Sequence, residues 1–465
     1  MTIDRKLLGV ALAAGLLAAG GSVAKVSQDQ ADRLGKDLTP EGGEMAGNAA
    51  GTIPKWEGGI LQPPPGYVVG MSHIDPFKSD PVKFTITAAN MGQYAANMTE
   101  GQMAMLKTYP TYKIPVYMTR RSCNATEKIY AGLKANAVNS DLANGGVGIT
   151  GALLASPFPI PGNGPDAGLK VFWNHRLSGR QFKFRRWQAN AAVTRTGDYT
   201  IIKSQDEGIL HYAGPGRRTI GDVTTMEQLN NIWVTYLNVT TAPARLAGNV
   251  VLVYETIDQV VGPRQAWQYN PGTRRVLRAP ELSYDNPQFN ADGLATIDEF
   301  DMWNGSPDRY DFKLIGKEEK YIGYNAFQFQ SANHKYSELL TPNHIDQDLM
   351  RYELHRVWHV EATLKPGMRH IYAKREAYSD EDTWRFAHID EYDTRGELWR
   401  VHEGPIVNWY DIPFCYNAAE IVYDLQSGRY LVNSMRNEEK TIDWNASDIQ
   451  PERYTPDAIR RLGVR

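Results

Sequence analysis

The stretch 352–402, YELHRVWHVEATLKPGMRHIYAKREAYSDEDTWRFAHIDEYDTRGELWRVH, constrains this chain more than any other. Three turn signals divide it into four extended segments: Lys365-Pro366-Gly367, the run from Ser379 to Asp382, and Asp393-Thr394-Arg395-Gly396. Pro presets φ, Gly supplies positive φ, and Ser or Asp side chains bond the local backbone. Connections this short join antiparallel neighbours only, because a parallel crossover needs a dozen residues or more. The stretch is therefore predicted to be a four-strand meander. Alternation puts Tyr352, Leu354, Arg356, Trp358, Val360 and Ala362 on one face of its first strand, and Glu353, His355, His359 and Glu361 on the other. In the third strand Trp384, Phe386 and His388 oppose Arg385, Ala387 and Ile389. Neither face is wholly polar, unlike a sheet with one side in water. Two architectures fit: a curved sheet with a helix on one side and an aromatic-lined hollow on the other, and a two-sheet sandwich.

The rest of the chain supplies more strands than helices. Strands are predicted at 171–176, 181–187, 199–203, 232–239, 249–257, 420–425 and 429–434, with a hairpin over 264–278 turning at Asn270-Pro271-Gly272-Thr273. Helices are predicted at 27–39 (capping box Ser27, Gln30), 99–107 and 125–140, the last with Ile129, Leu133 and Ala137 on one face. Another is predicted over 296–304, with capping box Thr296 and Glu299 and with Ile297, Phe300 and Trp303 towards a sheet, and Thr455-Pro456 starts one near the end. Runs of strands without alternating helices argue for an antiparallel α+β fold and against a doubly wound nucleotide-binding one. Four segments result: 1–24, a Gly/Pro-rich arm with its leading helix over 25–80, one β-rich domain over 81–450, and a tail over 451–465.

The first segment reads as a secretory signal peptide. Arg5 and Lys6 precede an apolar run over 7–20, then Ser22-Val23-Ala24, so cleavage is expected after Ala24. No Cys stands at that site to carry a lipid anchor, and the run is short for a membrane span. The expected product is a periplasmic, soluble protein. Removing Asp4, Arg5 and Lys6 changes the formal charge from −3 to −4, and no basic run occurs, which gives no electrostatic case for nucleic acid. Cys123 and Cys415 are either a disulfide or two buried thiols; spacing does not decide.

Motifs with recognised chemistry are absent: there is no G-x-S-x-G, H-E-x-x-H, C-x-x-C or P-loop pattern. No cofactor, metal or catalytic residue is therefore expected. His355 and His359 share a strand face about 13 Å apart at about 3.3 Å per residue, too far for one ion. Asp298, Glu299, Asp301, Asp308 and Asp311 form the best carboxylate group, with a glycan-active enzyme as the reading they allow. Against it, the first two sit where a helix dipole favours acids. Strand parity nominates Trp233, Trp267, Trp358, Tyr372, Trp384, Phe386 and Trp399 as the lining of a hydrophobic cavity. The basic-aromatic run Gln181–Trp187 nominates Arg185 and Arg186 as contacts to an anionic headgroup, with a solvated basic strand face as the alternative.

Several stretches carry a resemblance. They include KVSQDQADRLGKDLTPEGGEMAGNAAGTIPKWEGG, FTITAANMGQYAANMTEGQ, GPRQAWQYNPGTRRVLRAPELSYD, FDMWNGSPDRYDFKLIGKEE and RYELHRVWHVEATLKPGMRHIYAKR. Together they resemble the domain-of-unknown-function family numbered 1329, exported Gram-negative proteins, from Lys25 to about Glu439. The resemblance implies a LolA/LolB-like open half-barrel: a large curved antiparallel sheet with helices packed on or lidding its concave side. It further implies a carrier of a lipid or other hydrophobic compound beside an RND-type inner-membrane transporter and an outer-membrane protein. An assembly factor docking through the arm, with no ligand of its own, is the alternative. The family supplies no catalytic residue, and neither cysteine falls in a matching motif.

Overall fold

The computed structural model describes residues 25–213, 225–278 and 284–463; the expected signal peptide lies outside them. Among the described residues, fifteen strands form one sheet. In chain order they are β1 (Phe84–Ile86), β2 (Ile114–Val116), β3 (Lys183–Val193), β4 (Tyr199–Leu210), β5 (Ile232–Ala242), β6 (Val250–Thr256), β7 (Gln265–Asn270) and β8 (Arg275–Arg278). Then come β9 (Tyr310–Gly323), β10 (Tyr352–Leu364), β11 (Lys374–Asp380), β12 (Phe386–Tyr392), β13 (Leu398–Glu403), β14 (Glu420–Asp424) and β15 (Arg429–Met435). In space the order is β1-β2-β10-β11-β12-β13-β14-β15-β3-β4-β5-β6-β7-β8, with β9 on the other side of β10. Pairing is antiparallel except for one parallel bridge, Tyr352 to Val116. The fold is α+β, and the sheet is open: β8 ends one side and β9 the other.

The meander forms as expected in β10 to β13, although its second strand begins only at Lys374. Its mixed faces have a simple cause, since both are covered. Val360, Ala362, Ala377, Phe386 and Ile389 pack against helix Ala167–Arg176 and against Trp303 and Phe312. On the opposite face Val401 and Ile421 belong to the cluster holding Met105 and Leu106 of helix Glu100–Thr108. Further along the sheet, Leu237, Val250, Leu252 and Tyr269 pack beneath helix Pro456–Gly463. A sheet buried on both sides shows no clean alternation.

Three predicted elements differ. Residues 171–176 are the end of helix Ala167–Arg176, not a strand. All but two residues of this helix are buried, so its apolar run carries no periodic signature, and a short apolar run is ambiguous between helix and strand. Residues 296–304 form a single 3-10 turn, Ile297–Glu299, with its capping box intact. The turn stops because Asp301 and Met302 take φ of 57° and 66°, which a continuing helix excludes. The helix expected over 27–39 is confined to Gln28–Ala31. The arm over 40–80 is strapped to the domain by polar bonds: Arg121 and Arg356 donate to Glu44 and Ala46 carbonyls, and Tyr67 donates to Asp411 at 2.8 Å. Cys123 and Cys415 are joined, with Cα atoms 5.8 Å apart. No helix among the described residues is long and apolar enough to cross a membrane.

Candidate functional site

Alternation along β3, β5 and β6 aims Phe184, Arg186, Gln188, Tyr236, Asn238, Val251 and Val253 to one side, where they floor an open cleft. Gly208 of β4 lies beneath the Phe184 ring; a Cβ there would stand 2.3 Å from that ring. The roof is the 284–304 segment, which contributes Gln288, Phe289, Ile297 and Phe300. Phe300 reaches down to Tyr236, with ring centroids 6.3 Å apart. Phe414, Tyr416 and Trp444 close one wall. The space is about 1400 Å³, counting the solvent-filled mouth.

The arginines that line it are each paired with an acid. Arg180 pairs with Asp301 at 2.6 Å, Arg186 with Asp206 at 3.0 Å and Arg264 with Glu255 at 2.7 Å. Arg180 also lies over the rings of Trp233 and Tyr416, at 5.7 and 5.3 Å. Against the pull of burial, Arg180 and Arg385 hold the Asp301 carboxyl far below the usual range. Glu420 goes the other way: burial, then the Asp301 charge, pushes it up to about 8, so it is neutral at pH 7. Trp233 Nε1, Gln188 Oε1 and both side-chain polar atoms of Gln288 are buried there without a partner among the described residues. Such a place takes an apolar body and offers a few polar atoms to fix its orientation.

Behind the roof lies a buried polar layer. Arg375 grips Asp298 at two points, 2.8 and 3.1 Å. Glu299 Oε2 accepts from Thr296 Oγ1 at 2.7 Å and Tyr372 Oη at 3.0 Å. A carboxylate oxygen of Glu299, one of Glu391 and a ring nitrogen of His402 lie within 4.8 Å of one another. Burial pushes the Glu391 carboxyl well up, with Glu299 adding to it, and lowers His402 to about 4. His355, Asp380 and Asp382 form a second such group. There His355 bridges Glu353 at 3.2 Å and Asp380 at 3.3 Å. Although burial opposes it, those carboxylates push His355 up to about 9. It is therefore itself the cation of that group.

Of the residues nominated from sequence, the structure brings Trp233 and Arg186 to the cleft. Arg185, one residue away, points to the opposite face and pairs with Glu207 at 2.8 Å and Asp448 at 2.9 Å. Trp267 lies on that face too, 5.0 Å from the Tyr254 ring. Trp358 and Trp384 stack on each other at 5.7 Å, and Phe386 on His175 at 4.2 Å. Tyr372 and Trp399 both contact Arg400, away from the cleft. His355 and His359 have separate carboxylate partners. The five acids do not converge: Asp298 and Glu299 are buried behind the roof, Asp301 lines the cleft, Asp308 is half-buried in the turn Pro307–Arg309, and Asp311 is exposed on β9. Arg180, Gln288, Tyr416 and Glu420 went unnoticed because they come from separate parts of the chain with no local pattern. Phe300 alone had a signal, its spacing with Ile297 and Trp303.

A model of the family described as "Protein of unknown function (DUF1329)" matches residues 85–460. The chain belongs to this family. It is also 48% identical over 468 aligned residues, the whole of both chains, to the uncharacterized protein PA3922 of Pseudomonas aeruginosa. Among solved structures it is similar to a DUF1329 family protein from Desulfovibrio piger, at 15% identity and TM-score 0.38, over 60% of this chain and 92% of that one. It is similar to a domain provisionally assigned to outer-membrane lipoprotein sorting in Vibrio parahaemolyticus, at 12% and 0.42, over 64% and 100%. A LolA superfamily protein from Nitrosomonas europaea aligns at 15% and 0.34, over 60% and 91%.

Proposed function

We propose that this DUF1329 protein is an exported carrier that holds a hydrophobic compound or lipid between the floor of β3 to β6 and the 284–304 roof, without transforming it. The observation that carries this reading is the open, apolar-walled cleft whose buried Trp233, Gln188 and Gln288 polar atoms lack partners. Removing ligand surface from water there contributes roughly 25 cal/mol per Å². Of the three acids that line the cleft, Asp301 is clamped by two arginines, Glu255 pairs with Arg264, and Glu420 accepts from Asp301 N. Export is supported by the basic-then-apolar start of the sequence and by the joined Cys123–Cys415 pair, since disulfides persist in oxidising compartments.

Native mass spectrometry of gently purified protein tests the reading. A discrete hydrophobic adduct is expected, and Gly208→Leu, which drives Phe184 into the cleft, should lose it. Folded wild-type protein that carries no adduct and binds no hydrophobic fluorescent probe would refute it. A second reading, docking on an RND-type transporter and an outer-membrane protein, is favoured by Leu61, Val68 and Val69, exposed on the arm at 69, 68 and 81%. Co-purification with such partners that is lost when these three residues become Ser would support docking.

A further inference from the structure

We infer that Glu299, Glu391 and His402 form a site for one divalent first-row transition cation, which pins the cleft's roof to the meander. Glu391 stands on β12 and His402 on β13, where His402 pairs with Ile389 and Glu391 with Arg400. The two side chains are thus diagonal neighbours on one face. Glu299 arrives from the roof, in the turn Ile297–Glu299. All three are almost wholly buried.

The unusual feature is what these side chains face. Glu299 Oε2 receives Thr296 N, Thr296 Oγ1 and Tyr372 Oη, whereas Oε1 receives nothing. Glu391 Oε1 receives Arg375 Nε at 3.2 Å, whereas Oε2 receives nothing. Neither ring nitrogen of His402 has a partner. Four buried polar atoms in one place are left without a donor or an acceptor. Tyr372, Thr296 and Arg375 hold the carboxylates by their far oxygens, as groups around a metal ligand do.

The local charges point the same way. Arg375 is matched by Asp298 and Arg400 by Asp424. His370 accepts a bond from Tyr372 N at Nδ1 and lies 3.3 Å from Asp298. Glu299 and Glu391 then stand beside each other, where a dication would displace the proton that burial leaves on Glu391. Two carboxylates and an imidazole are a donor set for Zn²⁺ or Mn²⁺. Bonds of about 2.0–2.2 Å require the donors to draw inward slightly from their present separation.

The test needs only metal salts. Chelator-stripped full-length protein is titrated with ZnCl₂ and, separately, MnCl₂, following uptake and the melting temperature. One equivalent bound with a raised melting temperature is expected, and affinity should fall about a hundredfold in Glu391→Gln and His402→Gln. Tyr372→Phe, which removes one of the three bonds to Glu299 Oε2 and the bond from Arg400, should lose about tenfold. No uptake by wild type overturns the site, as does undiminished uptake by variants whose circular dichroism is native. If the variants do not fold, Co²⁺ added to wild type decides. Visible bands of a protein-ligated ion support the site, and the spectrum of hydrated Co²⁺ alone overturns it.

Discussion

Neighbouring residues show how much a single position decides. Arg185 and Arg186 read alike in sequence, yet alternation sends one into the cleft and the other beneath the tail. Their losses should differ accordingly. Arg186→Gln leaves the fully buried Asp206 without its cation and should cost about 3 kcal/mol. Arg185→Gln leaves Glu207 still paired with Arg453 at 2.8 Å and should cost under about 1 kcal/mol. Urea unfolding compares them, and equal costs would contradict the assignment of faces. Glu420 makes a pH prediction. Its acid form persists to about pH 8 in the folded chain, against a value of 4.5 when solvated. The folded state therefore binds the extra proton. This stabilisation is complete below the unfolded value and is lost as pH rises through the folded one. On this group's account, unfolding free energy should fall by about 2 kcal/mol between pH 6 and pH 8. Glu41, also pushed up to about 8, adds in the same direction. Glu420→Gln should flatten its share of that slope; a slope identical to wild type would refute the assignment.

Elements with local signals were the legible ones. Capping boxes at Ser27, Thr99 and Thr296 all form, and the 264–278 hairpin turns where Asn270 and Pro271 predict. The meander followed from its turns alone. Helix Ala167–Arg176 was illegible because burial nearly all round removes the polar stripe that reveals a helix. It is also held unusually close to β9. A Cβ on Gly168 would stand 2.7 Å from the Lys313 carbonyl carbon. Gly168→Ala should thus lower stability by about 1–3 kcal/mol despite the better helix propensity of alanine. Thermal melting checks the direction, and a stabilised variant would show that the helix can slide. The cleft was legible only in its chemistry, as a surplus of aromatic side chains. Its location was not, because floor, roof and wall come from segments between Arg180 and Trp444.

At the scale of the molecule, long-range links dominate. The Cys123–Cys415 bond closes a loop of 292 residues' separation, and reducing it should destabilise the fold by about 2–5 kcal/mol. Denaturant midpoints with and without reductant measure this; no change would show that the loop is held equally well by packing alone. The sheet order was beyond sequence reasoning for the same reason, since no local pattern states that β15 lies against β3. That pairing, Tyr430 with Val193 through Met435 with Ala189, joins strands some 240 residues apart. Among the described residues it is also the only seam between the meander side and the cleft side in the strand order. A chain that emerges N-terminus first thus carries two unfinished edges until nearly its last residues appear. Its assembly is like an arch whose keystone is cut last.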